Sequence, residues 1–218
     1  MSTFKGSIIV AVILFCVGST ASAQPRSMRG KSCVELHLGL WNERRSANEV
    51  SLGGATSEAK SRGFLGGISY SYWMRERLAI SLSAGILAAE ATSSQPFLWT
   101  PEQRSSSVVH ILVGMKYHLL DPEPDESVRP YVAAAIGPVI GSESENAALS
   151  QAAHSENAVG LRLGAGIDFL VGSWLKFGVN AGYNVMSDFR TPIGARSNYN
   201  GPDFSLGIGF LFGGKDPD

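Results

Sequence analysis

The stretch FSLGIGFLF, residues 204–212, constrains this chain more than any other. Phe204, Leu206, Ile208, Phe210 and Phe212 take every second position, with Ser205, Gly207, Gly209 and Leu211 between them. Successive side chains of a strand point to opposite faces, so one face is aromatic and aliphatic while the other is nearly bare. A soluble protein would normally clothe its second face in Lys, Glu or Thr. The same alternation recurs seven more times, with no 3.6-residue stripe outside the first 23 residues.

In CVELHLGLW (33–41) the apolar set is Val34, Leu36, Leu38 and Leu40, facing away from Glu35, His37 and Gly39. In FLGGISYSYW (64–73) Phe64, Ile68, Tyr70 and Tyr72 oppose Gly67, Ser69 and Ser71. In LAISLSAGI (78–86) Leu78, Ile80, Leu82 and Ile86 oppose Ala79, Ser81, Ser83 and Gly85. In VVHILVGMKYH (108–118) Val109, Ile111, Val113, Met115 and Tyr117 oppose His110, Gly114 and Lys116. RPYVAAAIG (129–137) is weaker, with Val132, Ala134 and Ile136 opposite Tyr131, Ala133 and Ala135. VGLRLGAGIDF (159–169) sets six apolar residues against Gly160, Arg162, Gly164, Gly166 and Asp168. WLKFGVNAGY (174–183) sets Leu175, Phe177, Val179 and Tyr183 against Lys176, Gly178, Asn180 and Gly182. With 204–212 that makes eight strands.

The connections alternate in length. Those at 74–77, 119–127 and 171–173 are short, whereas 42–63, 87–107, 138–158 and 184–203 are expected to be long loops. Long structureless loops count against a compact soluble domain. They are expected of an outer-membrane barrel, whose periplasmic turns are short and extracellular loops long.

Charge then decides which face is inside. The sparse face carries Glu35, His37, His110, Lys116, Arg162, Asp168, Lys176 and Asn180 among Gly, Ser and Ala; the apolar face carries no charge. A soluble barrel with its greasy face inward would expose a flat, glycine-studded surface. Inverted, aliphatic and aromatic side chains meet lipid, and closure satisfies every ladder group, as lipid demands. Eight strands leave an interior just wide enough for side chains, which suits glycine and serine beside a few long charged ones. The fold class is therefore all-β, an eight-stranded antiparallel up-and-down transmembrane β-barrel. Its lumen charges should be paired. Strands six and seven share a short turn, which sets Asp168 opposite about Phe177 and brings it to Lys176, with Glu35 or Lys116 joining across the barrel.

The front of the chain suits this destination. MSTFKGSIIVAVILFCVGSTASA has one cation (Lys5), an apolar run over 8–17 and a small-residue end, Ala21-Ser22-Ala23. That layout reads as a secretory signal peptide over 1–23, leaving the barrel domain at 24–218. Ten apolar residues are too few to cross a hydrocarbon core of about 30 Å. Cys16 does not mark a lipoprotein, because Phe15 stands where a small residue is wanted. After cleavage, 17 Lys and Arg face 19 Asp and Glu, a balance too near neutral for a nucleic-acid partner. Cys33 is then alone, so no internal disulfide forms. The even strand number and the placing of the short turns put both mature termini in the periplasm.

The chain resembles the eight-stranded outer-membrane barrels of the OmpA and opacity-protein type, over essentially the whole mature length. RPYVAAAIG before a long loop and the final strand carry the resemblance. SLGIGFLF (205–212) is similar to the signal by which the barrel-assembly machinery recognises a last strand. The matching residues are Ser205, Gly207, Phe210 and Phe212, although GGKDPD follows the terminal aromatic. The resemblance implies outer-membrane lipid and the assembly machinery as partners.

Function is less legible. One reading is a structural or interaction scaffold, whose rigid barrel presents loops to an extracellular ligand. QPFLWTP (95–101) reads as a strand extension bearing interfacial aromatics; 142–158 reads as a solvated acidic loop. A narrow porin-like channel is the alternative, weakened because eight strands leave no wide aqueous path. A lipid-modifying enzyme fits less well. HSENA (154–158) resembles the His-x-Ser-Asn motif of barrel lipid hydrolases, but His154 and Ser155 are adjacent and would point to opposite faces. No catalytic residue, cofactor or metal site is expected, since nothing completes a ligand set around His37 and His110.

Overall fold

Eight strands follow one another round a closed ring in the computed structural model, which describes residues 27–42, 62–94, 102–120, 127–147, 150–194 and 196–214. They are β1 (Lys31–Asn42), β2 (Arg62–Trp73), β3 (Leu78–Ser94), β4 (Glu102–His118), β5 (Val128–Ala147), β6 (Ser150–Val171), β7 (Leu175–Met186) and β8 (Gly201–Gly213). Each pairs antiparallel with the next, and β8 pairs with β1, so the sheet has no edge within the ring.

The alternation is the physical cause of the fold. Leu36, Leu38 and Leu40 of β1 are 55–61% exposed, and Leu206, Ile208, Phe210 and Phe212 of β8 are 47–55% exposed. Leu163 and Val113 are exposed likewise, while Glu35, Asp168 and Lys176 are buried. In water, such a ring of exposed apolar side chains would cost about 25 cal/mol per Å². In lipid it is the surface that holds the molecule in place. Aromatics collect toward both rims: Tyr72, Tyr117, Trp174, Phe210 and Phe212 toward the short turns, and Phe64, Tyr183 and Phe204 toward the loops. Phe64 and Phe204 flank Leu40 in register, and Trp174 stacks on Phe210 at 6.1 Å. Aromatic girdles of this kind belong at bilayer interfaces.

Two expected loops are strands instead. β5 runs on to Ala147 and β6 starts at Ser150, so 138–147 and 150–158 are paired strands in place of the expected long loop, acidic over 142–158. β3 and β4 likewise continue through most of 87–107, with a register shift between Ala88 and Ala91. The ladder needs only backbone groups, and beyond the bilayer neither face needs to be apolar. Pairing therefore continues where the hydropathy signal has stopped. HSENA lies in β6, not in a loop, and His154 and Ser155 are on opposite faces of it. The β2–β3 ladder ends at Phe64↔Ala88 and the β6–β7 ladder at Gly160↔Met186, so β3–β6 stand above the rest of the ring as a four-stranded wall. A smaller correction concerns register: Asp168 pairs with Gly178, one residue from the expected Phe177. Residues 1–23, 43–61, 95–101 and 215–218, where other expectations fell, lie outside the described residues.

Candidate functional site

The inward positions of the strands build the site. Near the barrel axis Lys176 of β7 donates from Nζ to Glu35 Oε2 (2.5 Å) and to Asp168 Oδ1 (3.1 Å). Lys116 of β4 reaches Asp168 Oδ2 at 3.2 Å and lies 3.9 Å from Glu35 Oε2. Its ammonium also sits 4.0 Å from the centre of the Tyr131 ring. His118 Nε2 approaches Asp168 Oδ2 at 3.3 Å. Asp168 and Lys176 have no exposed surface at all. Two carboxylates and two ammonium groups from four strands thus neutralise one another where a lone charge would be expensive.

Toward the loops lies a second cluster. Arg162 grips Asp203 with Nη2 on Oδ1 (2.6 Å) and Nε on Oδ2 (3.1 Å), the fork geometry of a strong pair. Arg162 Nη2 also donates to Asn180 Oδ1. Asn180 Nδ2 donates in turn to the Tyr131 hydroxyl (2.8 Å), and Asn184 to Asp203 (2.7 Å). Inward glycines make room for these long chains. A Cβ on Gly178 would stand 2.7 Å from Glu35 Oε1, and one on Gly182 would stand 2.8 Å from Arg162 Nη2.

Each end of this polar column is closed by apolar packing. At the short-turn end Met28, Cys33, Trp73, Ala79, Leu170 and Leu211 form a buried cluster. At the loop end Trp41 of β1, Met186 of β7 and Leu87, Val108, Val139 and Ala158 of the wall meet Phe189, Ile193 and Tyr199. Those three belong to the β7–β8 connection, residues 187–200, which turns back into the mouth as a stopper. Gly194, at a φ of 59°, donates its N–H to Glu143 Oε2 (3.1 Å). A Cβ there would lie 2.5 Å from Ser106 Oγ, so the turn fits its seat only as glycine. Tyr199 Oη closes the turn by donating to the Ile193 carbonyl (2.8 Å).

Between the seals is a chamber of about 140 Å³. Ser69, Ser71, Ser81 and Ser83 line one wall; Glu35, His37, Lys116, Tyr131, Arg162 and Asn180 line the other. In it His37 Nε2 lies 2.7 Å from Ser69 Oγ, and His37 Nδ1 lies 3.7 Å from Glu35 Oε1. A nucleophile, a base and an acid therefore stand in sequence, as acyl-transfer chemistry would need. The supporting parts differ, however. Glu35 is beyond hydrogen-bond reach of the ring and is held by Lys176. Ser69 sits mid-ladder between Glu35 and Ser83, where strand amides serve the sheet and are not aimed at an oxyanion. Among the described residues no group of three or more His, Cys, Asp or Glu is placed to hold a metal ion. His110 projects over Gly85 into the chamber rather than joining either charge cluster.

Of the sequence-selected inward residues, the structure joins Glu35, Lys116, Asp168 and Lys176, and separately Arg162 with Asn180. His37 stands between the groups, bonded to Ser69. Ser205 and Gly207 of β8 point inward, whereas Phe210 and Phe212 point out. Sequence reading passed over Asp203, Tyr131, His118 and the Trp41 and Trp73 seals. The parity of β1 and β2 already assigned both tryptophans to the inner face. Nothing in the alternation pointed to Phe189, Ile193 or Tyr199, because a stopper has no period.

A closed ring of strands with apolar residues outside, paired charges inside and aromatics at both rims defines a membrane-embedded β-barrel. The chain belongs to the family described as outer membrane protein beta-barrel domain, which matches residues 8–212. This places the protein in the outer membrane of a Gram-negative bacterium. Solved structures agree in fold. OprG from Pseudomonas aeruginosa superposes with a TM-score of 0.54 at 14% identity, covering 85% of this chain and 97% of that one. Neisserial surface protein A gives 0.52 at 14% identity, with 85% and 97% covered. Ail of Yersinia pestis, in complex with the heparin analogue sucrose octasulfate, gives 0.52 at 15% identity, with 84% and 99% covered. A search of curated proteins gives no match.

Proposed function

We propose that this barrel is a structural or loop-mediated interaction scaffold, not a channel or an enzyme. The observation that carries the reading is a lumen sealed by apolar packing at both ends and crossed by neutralised ion pairs between them. A conducting path would need both seals and the central ion pairs to part together. The interaction role then lies on the wall formed by β3–β6 and on the loops beside it. The ligand complex of Ail makes an extracellular ligand of the loop end a reasonable class to screen. On this reading both termini are periplasmic, β8 carries the assembly signal in Ser205, Gly207, Phe210 and Phe212, and residues 1–23 are removed on export.

Planar-bilayer recording of the purified barrel tests it, with no discrete conductance steps expected. Stable steps from a preparation that migrates as folded, unheated barrel would overturn the scaffold reading in favour of a narrow channel. Orientation is checked on intact cells: protease should cut within 43–61 and spare 119–127.

A further inference from the structure

We propose that the lumen chamber is a binding site for small, uncharged, hydrogen-bonding solutes, reached only from the loop end by displacement of residues 187–200. This goes beyond the scaffold reading and does not depend on it. The chamber's volume of about 140 Å³ has room for on the order of ten waters, or one solute of a few heavy atoms. Its wall of Ser71, Ser81 and Ser83 faces His110 across the small residue Gly85. Among the described residues, the Ser71 and Ser81 hydroxyls and the His110 ring have no hydrogen-bond partner. These groups open onto the chamber, so a guest held there must take over the hydrogen bonds they make to water, and a neutral solute with its own donors and acceptors does so without leaving any of them unmet.

Charge selects against ions. Every full charge in the chamber wall is already matched: Arg162 by Asp203, and Lys116 by Asp168 and Glu35. A charged guest would have to break one of these pairs and leave a partner uncompensated, whereas a neutral one disturbs none.

The direction of access follows from how the two closures are made. Below the chamber stand the four-charge cluster and a seal built from strand residues and Met28, fixed by the ladders themselves. Above it, Met186 of β7 and Tyr199 of the stopper form the chamber's roof. That stopper is seated by the Gly194–Glu143 bond and by Phe189 and Ile193 against Gly141, where a Cβ would lie 2.9 Å from either side chain. Lifting it costs the Ser187 N–H bond to the Val159 carbonyl (2.9 Å) at the end of the β6–β7 ladder but leaves the rungs between the eight strands in place.

Thiol labelling tests the proposal on the full barrel in lipid vesicles. Ser83→Cys places a reporter in the chamber wall, and the native Cys33, beyond the charge cluster, serves as control. The probes are methyl methanethiosulfonate and its anionic sulfonatoethyl and cationic trimethylammonioethyl counterparts, read by mass. Each variant is first shown to be folded by its unheated gel migration. Gly194→Ala, or Phe189→Ala should that one fail to fold, is expected to speed neutral labelling of the introduced thiol about tenfold, in proportion to the population of the lifted stopper. Glycerol in excess should slow that labelling severalfold, and acetate or methylammonium at equal concentration should not. Cys33 should stay unmodified throughout. Labelling indifferent to both stopper variants would remove the loop-end entrance. Equal rates for charged and neutral reagents, or equal protection by acetate, would remove the selectivity. Modification of Cys33 alongside would show a through-path instead of a closed chamber. A conductance result bears on the scaffold reading alone and leaves these outcomes untouched.

Discussion

The two ends of the lumen are closed by clusters of similar chemistry and different construction. Both centre on a tryptophan, Trp73 at the short-turn end and Trp41 at the loop end, and neither indole nitrogen has a hydrogen-bond partner among the described residues. The Trp73 seal takes all but Met28 from strands or strand ends, so its geometry is inherited from the register of β1, β2, β3, β6 and β8. Met28 is itself tied down, its N–H donating to Glu76 Oε2 (2.8 Å), while Gly30 N–H donates to the Trp73 carbonyl (2.9 Å). The Trp41 seal owes Phe189, Ile193 and Tyr199 to an irregular segment, held by side-chain hydrogen bonds, ring contacts and the Glu143 carboxylate. Arg196 spreads over both Trp41 and Tyr199, 5.4 Å from each ring centre. Apolar burial therefore yields a fixture at one end and a separable part at the other. Stability in such a barrel depends on whether the backbone under a side chain belongs to the ring.

The largest effect is expected just above the fixed seal. Asp168→Asn leaves Lys116 and Lys176 short of a buried partner and should cost about 3–5 kcal/mol in unfolding from vesicles. In a double-mutant cycle with Lys176→Met, strong coupling is expected; coupling near zero would mean that the cluster is hydrated and the lower closure leaky. Trp73→Ala should cost a similar amount, about 3–5 kcal/mol, because the cavity it leaves is walled by paired strands. Phe189→Ala removes comparable buried surface but should lower global stability by only about 1–2 kcal/mol, since the stopper lifts before the ring unfolds. Equal costs for the two would break the comparison and make both seals one cooperative unit. On the lipid face, Leu163→Arg should cost about 2–4 kcal/mol, and its folding as well as the unaltered chain would invert the assignment of faces.

What the sequence disclosed follows the same division. Alternation identified the eight strands, their faces and the inward charges, because in lipid every ring residue must declare itself apolar or sheltered. It lost β5 and β6 between 138 and 158, where Ser142, Ser144, Ser155 and Asn157 present polar side chains on the outward face and hydropathy no longer marks it. It also passed over Asp203. Immediately before the aromatic run, this carboxylate reads as loop, yet it pairs across β8 and β7 with Gly182 and holds Arg162. The stopper was illegible for a deeper reason. Phe189, Ile193 and Tyr199 stand singly in SDFRTPIGARSNYN (187–200), among polar residues, Pro192 and Gly194, with no run of apolar neighbours to mark a buried face. Their burial is decided by the hollow at Gly141 and the seat at Ser106, both far away in sequence.

The smallest expected effect is the most specific to the movable end. Glu143 lies on β5 above the bilayer and reaches across the mouth to accept the Gly194 N–H at 3.1 Å. Glu143→Gln keeps the shape and an acceptor oxygen but removes the negative charge, so the bond falls from charge-assisted to ordinary, a loss of about 0.5–1.5 kcal/mol. That amount is too little to show in global unfolding, whose transition is set by the ring. It should show locally. Hydrogen exchange at the Gly194 amide should quicken by roughly three- to tenfold, and protease should begin to cut within 187–200, while amides of β1 and β8 keep their protection. Raising the salt concentration should diminish the difference between Glu143 and its glutamine variant, because the lost term is electrostatic and lies near water. Faster exchange spread evenly through β7 and β8 would mean that the stopper and the ring open together, and that the loop end is as fixed as the turn end.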